Sequence, residues 1–230
     1  MDIDELKRRA AEKAVEFISS GMIVGLGTGS TAVHATRAVG RMIQEGRLQN
    51  VLGVPTSEVT AREALEWSLP LTTLEEHPVI DVTVDGADEI DPNLDLIKGL
   101  GGALLREKIV AAASKQMIVV CDYSKQVQRL GTRAPVPVEV VPFAKQPARN
   151  HLESLGARVA LRERDGQPFV TDEGNIILDC HFASIETPGR LAQAIRAQPG
   201  IVEHGLFLGM AAMAIVASPE GIETMRRINA

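Results

Sequence analysis

The 230-residue chain predicts an α/β protein: a doubly wound, mostly parallel sheet with a smaller inserted α+β lobe. Three observations carry that expectation. Short apolar runs (Met22–Leu26, Val51–Val54, Val79–Val84 and Met117–Cys121) alternate with helical patterns, and near-continuous apolar runs suit strands buried on both faces of a parallel sheet. The first run passes through the turn Gly27-Thr28-Gly29-Ser30-Thr31 directly into a helical pattern at Ala32–Val39. Beyond about residue 130 the pattern changes: Pro135, Pro137, Pro142 and Pro147 crowd one region, and short strands mix with helices.

In order along the chain, Leu6, Ala10, Ala14, Val15 and Ile18 recur at helical spacing over residues 4–18, and Gly21 ends that helix. Helices are expected near 58–66 and 103–114, between the apolar strands. Val136–Val141 reads as an edge-like strand, because proline cannot donate to a central ladder. A helix near 144–155, strands near 157–161, 169–171 and 175–179, and a helix near 188–197 complete the lobe. Ala211–Ala217 reads as a buried strand returning to the first sheet, with a closing helix at 219–228. The expected division is therefore a Rossmann-like catalytic part, 1–130 plus 206–230, and a lobe at 131–205.

Composition narrows the function. A net charge of −6, with no Lys/Arg run interleaved with aromatics, argues against a nucleic-acid partner. Two cysteines, Cys121 and Cys180, suggest no disulfide framework, and Cys121 reads as a small buried hydrophobe. The acidic start Met1–Glu5 lacks the pattern of a signal peptide, and the most apolar segment, Gly205–Ala217, is too short for a membrane span. The expectation is a cytoplasmic protein whose partners are small molecules or copies of itself.

Two stretches carry candidate chemistry. In the turn 27–31, backbone N–H groups at a helix start and three hydroxyls suit a phosphate. The turn also fits the looser dinucleotide pattern, although the next strand runs into Pro55-Thr56-Ser57 rather than an acid, and a purely structural turn is the third reading. Val84–Asp91 followed by Lys98–Lys108 places acids, a lysine and a glycine loop close together. Asp85 and Asp88 are either a polar strand end or ligand-facing acids, or they hold a hard cation, though their spacing fails the calcium-loop pattern. Glu107 can lie on the solvated side of its helix, and Lys7, Lys98 and Lys125 can be surface charges.

Together, Gly25–Thr31, Val84–Ile90, Lys98–Gly102 with Arg106-Glu107-Lys108, Ser124-Lys125-Gln126 and Pro137–Val140 resemble ribose-5-phosphate isomerases of the A type, and the likeness extends to Gly174-Asn175, Pro199–Val202 and Gly205–Phe207. Leu100 departs from the run of glycines found in some members. The resemblance implies interconversion of ribose 5-phosphate and ribulose 5-phosphate through an enediolate, in the non-oxidative branch of the pentose phosphate pathway, without a metal or organic cofactor. It casts Glu107 as the base, Asp85 as the group assisting ring opening, and Lys98 and Asp88 as groups that bind sugar oxygens and steady the enediolate. Thr28, Gly29, Ser30 and Thr31, with Lys7 and Lys125, would hold the phosphate end. Gly86, Ala87, Gly99, Leu100 and Gly101 would complete the substrate-binding surface. It also implies a homodimer or higher homo-oligomer. The rivals are an amino-sugar-phosphate deaminase and a sugar-phosphate sensor. A sensor needs an output module, and about 26 residues before the turn are too few for a helix-turn-helix domain.

Overall fold

The computed structural model describes residues 2–227. In chain order the elements are α1 (Ile3–Val15), β1 (Ile23–Leu26), α2 (Ala32–Gln44), β2 (Leu52–Pro55), α3 (Glu58–Glu66), β3 (Val82–Asp85), β4 (Glu89–Ile90), β5 (Leu96–Ile97), α4 (Leu104–Ala112) and β6 (Met117–Asp122). There follow β7 (Val136–Val140), α5 (Lys145–Ser154), β8 (Arg158–Leu161), β9 (Glu163–Arg164), β10 (Gln167–Pro168), β11 (Ile176–His181), α6 (Pro188–Arg196), β12 (Ile201–His204), β13 (Leu206–Phe207), β14 (Ala211–Ser218) and β15 (Gly221–Arg226). They form two compact units. The first comprises the chain up to Ala87, Arg106–Lys125, and the chain from Gly209; the second comprises Asp88–Leu105 and Gln126–Leu208.

The first unit is built on a six-stranded sheet in the order β15-β14-β6-β3-β1-β2, parallel throughout except for the edge strand β15. Its strands are buried on both faces, as the apolar runs require. On one face Val24, Leu26, Val82, Val84, Ile118 and Val120 pack with Leu6, Ala10 and Ala14 of α1 and Ala35, Ala38 and Val39 of α2. On the other, Val54 and Ile80 pack with Val110 of α4. Alternate residues of the strands thus face helices on opposite sides, which is the doubly wound arrangement. Ser57 caps α3, its hydroxyl accepting the N–H of Thr60 at 3.0 Å.

Where β15 lies, the composition of residues 219–228 suggested a helix. Ser218 and Gly221 instead pair across a two-residue loop, and Gly221–Arg226 returns antiparallel to β14; residue 228 lies outside the described residues. Gly221 adopts φ 154°, which suits that tight reversal.

The second unit holds a four-stranded antiparallel sheet, β12-β7-β11-β8, a three-stranded sheet β13-β5-β4 and the hairpin β9-β10. Its core gathers Val136, Val138 and Val140 with Leu178 and Cys180 of β11, Ala148 and Leu152 of α5 and Ile195 of α6. Contrary to the edge-strand expectation, β7 is an interior strand. Proline is tolerated because Pro137 stands near its start: the ladder with β12 begins only at Val138, while the Pro137 carbonyl accepts the N–H of Gly205 at 2.7 Å. The strand expected at 169–171 is reduced to a bridge between Val170 and Ile176. Residues 88–105 fall in this unit through the pairing of β5 with β13.

Candidate active site

In the first unit, β1, β2, β3 and β6 run parallel, so the turns after Leu26, Pro55, Asp85 and Asp122 all lie at the same edge of the sheet. The C-terminal edge of parallel strands is where ligands bind in such folds. This edge carries Thr28–Thr31, Asp85–Ala87 and the short helix Tyr123–Lys125.

The three hydroxyls of the first turn differ in their surroundings. Thr28 Oγ1 lies 2.7 Å from Thr56 Oγ1, 2.8 Å from Ser57 Oγ and 3.0 Å from Thr60 Oγ1. Thr56 and Thr60 in turn donate to the carbonyls of Leu26 at 2.9 Å and Gly27 at 3.1 Å. Thr28 therefore belongs to a hydroxyl cluster joining the turns after β1 and β2. Ser30 is exposed, and Lys7 Nζ, from the second turn of α1, donates to its hydroxyl at 3.0 Å. Thr31 is buried at the start of α2. Gly29 adopts φ 119°, which lets the turn present its backbone to an anion. Lys125 ends a turn fixed by Asp122, whose carboxylate accepts the Ser124 N–H at 2.9 Å.

Asp85 ends β3 and is fully buried. Its Oδ1 accepts the N–H of Gly86 at 2.7 Å and that of Thr28 at 3.2 Å, which sets the direction of the carboxylate. A Cβ at position 27 would stand 2.2 Å from that same oxygen, so only glycine allows this approach. Glu107, on the first turn of α4, is 4% exposed and shares the inward face of its helix with Leu104, Val110 and Ala111, whereas Ile109 is exposed. The solvated-face alternative for Glu107 is thereby removed. Arg106 points elsewhere, bonding Glu58 at 2.8 Å.

In the second unit, Lys98 follows β5 and is 2% exposed, its ammonium 5.5 Å from the centre of the Phe207 ring. Its backbone N–H donates to Gly205 O at 2.9 Å. Asp88 Oδ2 accepts the N–H of Leu100 at 2.9 Å. The loop Gly99-Leu100-Gly101 that follows Lys98 carries its departure from a glycine run, Leu100, a residue 44% exposed whose backbone N–H is bonded to Asp88. The next acid, Glu89, is fully buried and accepts the N–H groups of Gly131, Arg133 and Ala134 at 2.6–2.7 Å, a structural task.

Among the described residues no group of three or more His, Cys, Asp and Glu side chains is placed to hold a metal ion. No described helix is long and apolar enough to cross a membrane. Both cysteines are buried, and burial pushes the Cys121 thiol up to about 12, so it is inert at neutral pH. The sequence reading missed the partners of Thr28, namely Thr56, Ser57 and Thr60; two hydroxyl residues directly after the second strand and one in the first turn of the following helix were the available signal.

A parallel sheet whose C-terminal edge carries an amide- and hydroxyl-lined turn and a buried aspartate, in a chain with a buried lysine on a glycine loop, suits an enzyme of small phosphorylated substrates. Residues 52–221 match the family model for ribose 5-phosphate isomerase A (phosphoriboisomerase A). Ribose-5-phosphate isomerase A of Roseiflexus castenholzii is 56% identical over 223 residues, covering 96% of this chain and 95% of the relative, and a probable ribose-5-phosphate isomerase of Arabidopsis thaliana is 48% identical, covering 96% and 86%. Among solved structures, ribose 5-phosphate isomerase from Plasmodium falciparum superposes with a TM-score of 0.95 at 38% identity, covering 98% of this chain and 100% of that one. A D-ribose-5-phosphate isomerase in complex with phospho-erythronic acid gives 0.96 at 38% identity, covering 99% and 100%. The chain belongs to the ribose 5-phosphate isomerase A family. It interconverts ribose 5-phosphate and ribulose 5-phosphate in the pentose phosphate pathway.

Proposed function

We propose that the isomerisation runs through an enediolate with Glu107 as the base that carries the proton between C2 and C1. The observation that supports this most is that Glu107 stands 4% exposed on the inward face of α4 and not on its solvated side, where a surface charge would lie. Asp85 handles the hydroxyl proton during ring opening; its Oδ1 is held by two N–H groups, so the carboxylate is oriented before substrate arrives. Lys98 and Asp88 bind sugar oxygens, and Lys98 offsets the negative charge that grows on the enediolate. The phosphate is held by the turn Thr28–Thr31 with Lys7 and Lys125, and its remote binding energy positions the reacting carbons. Gly86, Ala87, Gly99, Leu100 and Gly101 complete the substrate-binding surface. In this scheme the chain's own residues supply every proton transfer, and the enzyme acts as a cytoplasmic homodimer or higher homo-oligomer.

Replacing Glu107 by glutamine tests the base. The variant should fold, still bind a pentose phosphate, and lose on the order of 10²–10⁴-fold in turnover. Wild type incubated with ribose 5-phosphate in D₂O should place deuterium at C2 or C1, and the variant should not. Near-normal turnover and exchange in Glu107→Gln would move the search for a base to Asp85 and Asp88.

A further inference from the structure

The loop after Lys98 is rich in glycine, and within the second unit one peptide group of it is gripped at both ends. The N–H of Leu100 donates to Asp88 Oδ2 at 2.9 Å, and the carbonyl of the same peptide, Gly99 O, accepts Nη1 of Arg162 at 2.6 Å; that Nη1 also reaches Leu100 O at 3.1 Å. Arg162 is aimed by Asp179. Its Nε donates to Asp179 Oδ2 at 2.9 Å and its Nη2 to Oδ1, in a bidentate pair whose side chains are 11% and 17% exposed. The backbone of Arg162 is itself fixed, its N–H on Ile177 O and its carbonyl accepting from Phe169, each at 2.9 Å.

These bonds have a definite task. Gly99 and Gly102 sit at φ 105° and 88°, and three of the four residues after Lys98 are glycines, so an unanchored loop would sample many conformations. The exposed Leu100 side chain contributes little packing to hold it. Two oppositely charged groups on one peptide plane do what packing does not, because charge-assisted hydrogen bonds in a partly buried setting are stronger and more directional than neutral ones.

We propose that Arg162, oriented by Asp179, is the positioning residue for the lysine-glycine loop: it locks the Gly99–Leu100 peptide against Asp88 and so sets Lys98 and Asp88 for turnover. The proposal rests on the roles given above to those two residues. Arg162 acts through the loop; it is not itself a group that touches substrate.

The test compares Arg162→Gln, Arg162→Lys, Asp179→Asn and Lys98→Ala in the full-length enzyme, with circular dichroism to check folding. Arg162→Gln and Asp179→Asn should lower kcat on the order of 10–100-fold, with a smaller rise in KM for ribose 5-phosphate because Lys98 and Asp88 also bind the sugar, the scale expected when a catalytic group is displaced by about an ångström. Arg162→Lys, which keeps the charge but not the fork, should recover part of the loss. Peptides covering residues 96–105 should exchange amide hydrogen faster in Arg162→Gln, with the rest of the chain unaltered. Wild-type kcat in Arg162→Gln and Asp179→Asn, beside an inactive Lys98→Ala, would overturn the clamp and leave the role of Lys98 standing. Wild-type turnover in Lys98→Ala would remove that role and the clamp together. Should the Gln and Asn variants not fold, Arg162→Lys decides: a lowered kcat supports the clamp and a wild-type kcat overturns it.

Discussion

The backbone N–H of Thr28 donates to Oδ1 of Asp85 at 3.2 Å, which ties the turn after β1 to the acid at the end of β3 across 57 residues of sequence. The turn proposed to hold the phosphate and the acid proposed for ring opening are therefore parts of one hydrogen-bonded arrangement. A change in either should be felt by the other.

Ser30→Ala combined with Thr31→Ala should raise KM for ribose 5-phosphate more than it lowers kcat, since a hydrogen bond to a charged group contributes about 1.5–3 kcal/mol. Lys7→Ala should act in the same direction, because its ammonium sits on the Ser30 hydroxyl. Steady-state kinetics checks this, and an unchanged KM in both variants would exclude the turn as the phosphate site.

Thr28→Val should behave differently. It keeps the side chain's shape but removes the oxygen at the centre of the Thr56, Ser57 and Thr60 cluster. A loss of about 1–3 kcal/mol in urea unfolding is expected from hydroxyls left short of a partner. If stability is unchanged and only KM rises, the Thr28 hydroxyl serves the ligand and not the fold.

Turnover should survive exhaustive dialysis against EDTA if, as proposed, Lys98 supplies the positive charge that the enediolate needs. Activity lost on chelation and restored by a divalent ion would contradict the assignment of that charge to Lys98.

Glu139 offers a test of stability against pH. Burial pushes its carboxyl up, outweighing the hydrogen bonds from Asn175 and Thr171 that favour the charged form, and the nearby charges of Glu173 and Asp172 push the same way. The folded state then holds a proton that the unfolded state has released, between the ordinary glutamate value and the raised one. Stability should fall as pH rises through that window and level off above it. Glu139→Gln, whose oxygen still accepts from Thr171 and Asn175, should remove this slope. Urea midpoints from pH 4.5 to 8 measure it, and parallel curves for the two proteins would refute the shift.

The sheet of the first unit was legible because its strands are buried on both faces: Met117–Asp122 is apolar for five residues and every one of the six is buried. The strand Gly221–Arg226 was not, because an edge strand with mostly exposed side chains keeps no apolar alternation, and Ile-Glu-Thr-Met-Arg carries as much helical as extended character. The position of Pro137 inside a sheet depended on where the neighbouring ladder starts, which no local pattern records. Among the candidate residues, the turn 27–31 announced itself by composition, and Glu107 by its place in a motif. Arg162 and its loop partners lie 62 and 63 residues apart, and a lone arginine after a strand has no signature that separates it from a solubilising charge.

The order of strands in the six-stranded sheet has a consequence for synthesis. β14 lies between β6 and β15, so β6, buried along its whole length in the finished protein, keeps an open apolar edge until residues 211–218 have been made. The chain also leaves the first unit and returns to it twice before then, at Arg106 and at Gly209. A nascent chain that has emerged only to Leu208 thus presents an unpaired strand edge of the kind that recruits other chains. A stall or premature stop before residue 218 therefore leaves the principal sheet as a template for aggregation, even though most of its strands have already been made.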